Sequence, residues 1–211
     1  MKEAIVEPRP PRDITPARFF TEWLPREFES EFGPGKRAAS DITVAVQLLG
    51  DDGGRWVLDV RGGVIQVRAP GASGPVPEVE LRQAVRDWRA LAVGEAGEID
   101  LAPPQASPLD VLFVDPASRQ VMSSVKGTVR FEVSGYNGRT WWMHLKFGAQ
   151  PWPPDDSAQA TIAVDAETYA AILSRRLAPP EAYFSGKIQL RGDTALAMQL
   201  GMAALPRFTS T

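Results

Sequence analysis

The sequence has no cysteine, a single histidine and no long hydrophobic segment. Without cysteine the chain has no disulfide, no thiolate nucleophile and no cysteine-based metal site. Its apolar runs fall far short of the roughly 18 residues that a membrane-spanning helix needs. The net charge of -3 is small, so nothing favours nucleic acid as a partner. The charged, proline-containing segment 1–15 lacks the apolar core of a signal peptide, and we therefore expect a cytoplasmic protein.

The lone histidine restricts the catalytic chemistry that is open to the chain. Any mechanism that uses a histidine base must run through His144. The alternation of its strand places this residue on the outward side, and we interpret it as a surface or half-buried strand residue. The acidic pairs at 51–52 and 155–156 lie in turn-like segments and lack a third ligand at metal spacing. We therefore predict no enzymatic activity, no catalytic residue, no metal site and no cofactor.

An internal repeat organises the chain. The segment "VAVQLLGDDGGRWVLDVRGG" at 44–63 aligns with "VRFEVSGYNGRTWWMHLKFG" at 129–148 at a constant offset of 85. Each segment is typical of a β-hairpin, with an alternating strand, a glycine-rich turn and a second alternating strand. Trp56 and Trp141 fall on inward positions of their strands, and Trp142 falls on the outward side.

Helices and short strands complete the pattern in each half. An amphipathic helix, "TPARFFTEWLPREFESEF", precedes the first hairpin, and Pro25 is expected to kink or split it. Each hairpin is followed by a short strand and a helix, and Asp165 is the expected N-cap of the second of these helices. This order predicts an α+β fold in which two repeats form antiparallel sheets covered by helices. The predicted divisions are a flexible N-terminus at 1–15, a first repeat at 16–107 and a second repeat at 108–211.

The C-terminal segment has the most distinctive pattern. A short alternating strand at 187–191 is broken by "GD" at 192–193, and a helix with almost no polar residues follows. A helix that is apolar on all sides is expected to be buried. The sequence therefore raises the question of what buries this helix in so small a chain.

Three consecutive segments resemble the sterol carrier protein family of nonspecific lipid-transfer proteins. They are "ATIAV" at 160–164, "APPEAYFSGKIQLRGD" at 178–193 and "TALAMQLGMAAL" at 194–205. The resemblance covers 127–205 well and 16–94 more weakly. The first copy lacks its own "FSGK…GD" segment, and we interpret it as degenerate. The resemblance implies that the last helix lies over the sheet and helps to close an apolar tunnel that holds a lipid chain.

The resemblance further implies non-enzymatic binding or carriage of a fatty acyl, sterol-like or isoprenoid ligand in the second repeat. The expected wall residues come from the strand segment and the two helices around it: Tyr169, Leu173, Phe184, Leu190, Leu196, Met198, Leu200 and Met202. The competing interpretation is ordinary core packing at these positions, with the fold serving as a scaffold or interaction module of a larger assembly or enzyme complex. A protein partner would contact Trp142 and Trp152. The alternative is that these two side chains cover each other, or that Trp142 lies under the other repeat.

Overall fold

The computed structural model of the protein describes residues 9–68, 74–94, 109, 112–135 and 138–209, with side chains up to residue 201 except that of Ala117. The side chain of Met202 and most of the predicted flexible segment 1–15 lie outside these described residues.

In the described part of the chain, eight strands form a single sheet with the order β3-β2-β1-β4-β6-β5-β7-β8. The strands are β1 Ile42–Leu49, β2 Gly54–Arg61, β3 Val64–Arg68, β4 Val79–Ala84, β5 Gly127–Ser134, β6 Thr140–Phe147, β7 Ala160–Asp165 and β8 Ile188–Gly192. Alternating apolar residues in these segments account for the strands, because every second side chain meets the same face.

Helices cover one face of this sheet. They are α1 Pro16–Arg18, α2 Leu24–Phe32, α3 Val85–Trp88, α4 Pro116–Met122, α5 Ala166–Leu173, α6 Pro179–Phe184 and α7 Thr194–Thr209. A π-helical turn, Phe19–Trp23, joins α1 to α2, and another, Arg89–Val93, follows α3. Pro25 lies in the first turn of α2, where its missing amide hydrogen removes no helical hydrogen bond.

The two halves of the chain use the same strand arrangement and share one sheet. In the first half, β1 lies between antiparallel β2 and parallel β4. In the second half, β5 lies between antiparallel β6 and parallel β7. An antiparallel pair of β4 with β6 joins the halves. The α+β class is confirmed, but a single mixed sheet with two parallel pairs takes the place of the expected antiparallel sheets.

The two hairpin tryptophans face the same side of the sheet and are both buried. Trp56 pairs with Val46, and Trp141 pairs with Val133. The tryptophans are 85 positions apart, whereas their partners are 87 positions apart. The expected constant offset of 85 is therefore wrong for the strand residues that pair with the tryptophans, because fewer residues separate the paired positions in the second hairpin.

The apolar core lies between this face and the helices, in two clusters. The main cluster runs from the N-terminal helices to α4 and α7, and the ring of Phe20 stacks on Trp56 with centroids 4.6 Å apart. The smaller cluster gathers Val133, Trp141 and Val164 beneath Ala90 at the other end of the second half. The candidate site lies between these two clusters.

Candidate ligand-binding site

An apolar row crosses the helix-covered face of the second half. The strand register places Met143 of β6, Phe131 of β5, Ile162 of β7 and Leu190 of β8 side by side. All four are only half-buried, although three of their strands, β5, β6 and β7, lie inside the sheet. We call these four residues the apolar row.

The residues on either side of the apolar row are packed more tightly. Val129 and Ala160, at one side, belong to the main cluster and are fully buried. Val133 and Val164, at the other side, belong to the smaller cluster and are buried. Because alternate residues of a strand share a face, the half-buried Phe131 lies between buried neighbours on the same face of β5. The row therefore lies where the two clusters meet, with Met143, Ile162 and Leu190 packed against the main cluster and Phe131 against the smaller one.

Helices α5 and α7 lie beside the apolar row. The ring of Tyr169 on α5 lies 5.6 Å from the ring of Phe131, measured between centroids. On α7, Leu196 and Leu200 are buried in the main cluster, and α7 packs against β5, β7 and β8. Both helices therefore pack on the face of the sheet that carries the apolar row.

Two aspartates fix the starts of these helices. Asp165 accepts a hydrogen bond from the backbone amide of Thr168 at 2.8 Å, which confirms it as the N-cap of α5. Burial acts to raise the pKa of Asp165, but the hydrogen bonds from Thr168 lower that pKa overall. Asp193 accepts a hydrogen bond from the amide of Leu196 at 3.0 Å in the first turn of α7. Gly192 before it has a φ of +74°, and an added Cβ would lie 2.3 Å from a backbone oxygen, so the "GD" pair has a definite structural role.

The structure distributes the eight predicted wall residues over several environments. Leu196 and Leu200 are buried in the main cluster, and the half-buried members are Tyr169, Leu173 and Leu190. Phe184 is 85% exposed and Met198 is 53% exposed. The side chain of Met202 lies outside the described residues. That these eight form one ligand wall stays a prediction.

The expectation that the last helix is buried all round is wrong for its described side chains. Leu196, Ala197 and Leu200 are buried, whereas Met198 and Gln199 are exposed. The helix thus buries one face only, and the methionine on the other face does not point into the main cluster.

Sequence reasoning did not select Phe131, Met143 and Ile162 as site residues. Their positions were available from the alternation of the strands, which assigns Met143 to the inward side with Trp141. What the sequence does not contain is the pairing of β5 with β7, which brings Phe131 beside Ile162. Only the register therefore assembles these residues into one row.

The opposite face of the sheet is polar and contains the single histidine. His144 is 0% exposed, so its interpretation as a surface or half-buried residue is wrong. The reason is the loop after β6, which folds over this face and places Trp152 edge-on against the imidazole, with centroids 4.9 Å apart. The guanidinium of Arg82 lies 4.3 Å from the centre of the Trp152 ring and holds this ring over His144.

The imidazole of His144 has no hydrogen bond at either nitrogen to the described residues. Its Nδ1 lies 3.8 Å from the carboxylate of Asp156, which instead pairs with Arg82 at 2.6 Å. Burial lowers the pKa of His144; the charge of Asp156 opposes this shift, and the charges of Arg130 and Arg82 reinforce it. The imidazole is therefore neutral at pH 7 and enclosed by the fold.

The two candidate interface tryptophans are both half-buried on this polar face. Trp152 donates a hydrogen bond from Nε1 to Glu80 at 3.2 Å, and Glu80 pairs with the buried Lys146 at 2.7 Å. These contacts give Trp152 an internal covering role. Trp142 lies beside Arg130, whose guanidinium is 5.5 Å from its ring.

Metal and membrane features are absent from the described residues. Among them, no group of three or more histidines and acidic residues is placed to hold a metal ion. No helix within those residues is long and apolar enough to span a bilayer.

The described residues thus form an α+β sheet that helices cover on one face, with a half-buried apolar row on the covered face. Residues 109–204 match the model of the SCP-2 sterol transfer family, and this part of the chain is therefore similar to sterol carrier proteins. The predicted resemblance is confirmed for these residues.

Similar proteins come from several animals. Hydroxysteroid dehydrogenase-like protein 2 of Rattus norvegicus is 32% identical over 89 residues, which cover 41% of this chain and 17% of that protein. The protein of the same name from Xenopus laevis is 26% identical over 126 residues, which cover 57% of this chain and 30% of that protein. The chain thus matches less than a third of the length of either relative. The solution structure of the sterol carrier protein domain 2 of Helicoverpa armigera aligns with a TM-score of 0.35 and 23% identity, over 44% of this chain and 77% of that chain.

Proposed function

We propose that the protein binds a hydrophobic chain along the apolar row, between the two core clusters. The observation that carries the proposal is the partial burial of all four side chains of the apolar row, three of which, Phe131, Met143 and Ile162, lie between buried neighbours on the helix-covered face. The match of residues 109–204 to a sterol transfer family supports the same function. Three strand spacings separate the ends of the row, a length of about 14 Å.

The physical chemistry of the row favours an apolar ligand. When a ligand covers apolar surface that is otherwise exposed to water, the binding free energy becomes more favourable by about 25 cal/mol for each Å² covered. Met143 adapts its unbranched side chain to irregular shapes. The ligand classes that fit are a fatty acyl chain, a sterol-like molecule and an isoprenoid lipid.

Binding or carriage without catalysis fits the buried state of the histidine. A base that is 0% exposed and covered by Trp152 has no access to a substrate in the row, because His144 lies on the opposite face of the sheet. The curated relatives are named for dehydrogenases, but this chain matches under a third of their length, so we keep the proposed role to ligand binding. We extend the proposal to a duplication in which the first half is a degenerate copy, since both halves share one strand arrangement.

A matched pair of substitutions on β7 tests the binding function. Ile162→Trp fills the proposed gap, so it should abolish binding of a fluorescent long-chain alcohol and reduce the free energy of unfolding by less than about 1 kcal/mol. Val164→Trp, two residues further on the same face, enters a packed cluster and should destabilise the fold by about 1–3 kcal/mol. If both variants destabilise the fold equally and the wild type binds no lipid, the row is ordinary core and the proposal fails.

The alternative function is a scaffold or interaction module without a ligand. Its specific support is the half-buried ring of Trp142 on the polar face, while the contacts of Trp152 favour internal cover. Native mass spectrometry of the purified protein separates the alternatives. A co-purified lipid supports binding, and a mass without lipid that stays unchanged after lipid addition supports the scaffold.

A further inference from the structure

A glutamine is buried on the apolar face of the sheet, at the junction of the two halves. Gln83 of β4 is 3% exposed. It is two residues after Leu81, which belongs to the main cluster, and alternate residues of a strand share a face. Its partner in the neighbouring strand is Leu48, also a member of that cluster. Gln83 therefore directs an amide group into apolar surroundings.

The amide nitrogen of Gln83 has no hydrogen-bond partner among the residues that the structure describes. Most buried side-chain polar atoms in folded proteins have such a partner, and an unpaired one is unfavourable. A leucine would fill the same place without this cost. The glutamine is therefore an exception that calls for a partner from outside the described chain.

The register places this amide at the end of the apolar row. Arg82 of β4 lies opposite His144 of β6. The paired register ends there; continued by one residue along both antiparallel strands, it brings Gln83 next to Met143, the first member of the row. The row and the amide thus form one line across the sheet, with four apolar side chains followed by a single polar group.

We infer that the side-chain amide of Gln83 donates a hydrogen bond from Nε2 to an uncharged oxygen at one end of an otherwise apolar ligand. A hydroxyl, ether or carbonyl oxygen fits, because each of them accepts a hydrogen bond. An ionised carboxylate fits poorly, since the flanking side chains of Leu48, Leu81 and Met143 offer no charge to offset its desolvation. This inference rests on the proposed function and adds the polar selectivity of that site.

The experiment compares a long-chain primary alcohol with the 1-chloroalkane of equal chain length, by displacement of a fluorescent probe. The hydroxyl oxygen accepts a hydrogen bond from the amide of Gln83, whereas chlorine is a poor acceptor. The ratio of the affinity for the alcohol to the affinity for the chloroalkane should therefore be about five- to tenfold higher in the wild type than in Gln83→Leu. The control, Gln47→Leu, changes a glutamine that bonds Arg82 on the opposite face and should keep the wild-type preference.

The possible outcomes separate the two proposals. An affinity ratio that is the same in the wild type and in Gln83→Leu, or in Gln83→Met if the leucine variant does not fold, overturns the role of Gln83 while leaving apolar binding in place. Failure of the wild type to bind either probe refutes the proposed function, which native mass spectrometry tests independently.

Discussion

Replacement of His144 by phenylalanine should stabilise the protein at pH 7. The neutral imidazole carries one donor and one acceptor, and neither nitrogen is hydrogen-bonded to the described residues. An unpaired buried polar group costs about 1–3 kcal/mol. Phenylalanine removes this cost and keeps an aromatic edge contact with Trp152. Its larger ring causes packing strain, which destabilises the fold by up to about 1.5 kcal/mol. We expect the free energy of unfolding to rise by about 1 kcal/mol.

The same substitution should flatten the pH dependence of stability. The pKa of His144 is lowered in the fold from its ordinary value of 6.5, chiefly by burial. The unfolded chain therefore takes up a proton first as the pH falls, and the stability present above pH 6.5 is lost below it. Glu80 and Arg82 from β4, Arg130 from β5, Lys146 from β6 and Asp156 from the covering loop face this region and remain in the variant.

Urea denaturation at a series of pH values measures both effects. The difference between wild type and His144→Phe should grow as the pH falls from about 7 to about 5. The raised pKa of Asp87, which burial causes, affects both proteins alike and cancels in the difference. A constant difference across this range, or a variant that is less stable at every pH, would refute the reasoning. His144→Ala is a useful control, because the cavity it leaves should destabilise the fold, unlike the small effect expected of a surface residue.

Further predictions concern the helices that flank the row. Asp165→Ala removes the N-cap of α5 and should lower the free energy of unfolding, measured by thermal melting, by about 1 kcal/mol. Since the pKa of Asp165 is lowered overall, the wild type should lose this stability as the pH falls through the acid range. Met198→Trp should change the free energy of unfolding by less than about 0.5 kcal/mol, because the residue is 53% exposed. Leu200→Trp enters the main cluster and should destabilise the fold by about 1–3 kcal/mol. Equal effects at Met198 and Leu200 would contradict the one-sided burial of α7.

The local pattern of the sequence predicted much of the fold. Alternation of side chains identified the hairpin strands and the inward position of both Trp56 and Trp141, because that period is fixed by the backbone. Asp165 was predictable as a cap, since an aspartate before an apolar helical segment satisfies a free amide. Features of this kind depend on residues close together in the chain.

Features that depend on distant contacts were not predictable. The burial of His144 requires the loop with Trp152 to fold back over the sheet, which a strand pattern does not specify. The apolar composition of the last helix suggested burial on all sides, but Met198 is exposed because the sheet and α4 contact only one face. The apolar row itself requires the pairing of non-adjacent strands.

The junction of β4 with β6 gives the first half a role in the second, although that half lacks the "FSGK…GD" segment. On the polar face, Glu80 pairs with Lys146 across this junction. On the apolar face, Gln83 extends the row by one polar group from a strand that precedes residue 109, where the family match begins. Residues 109–204 taken alone therefore contain the whole apolar row but not its polar end. Apolar binding and polar selectivity thus belong to different halves of the chain, and the paired β7 and Gln83 variants measure them separately.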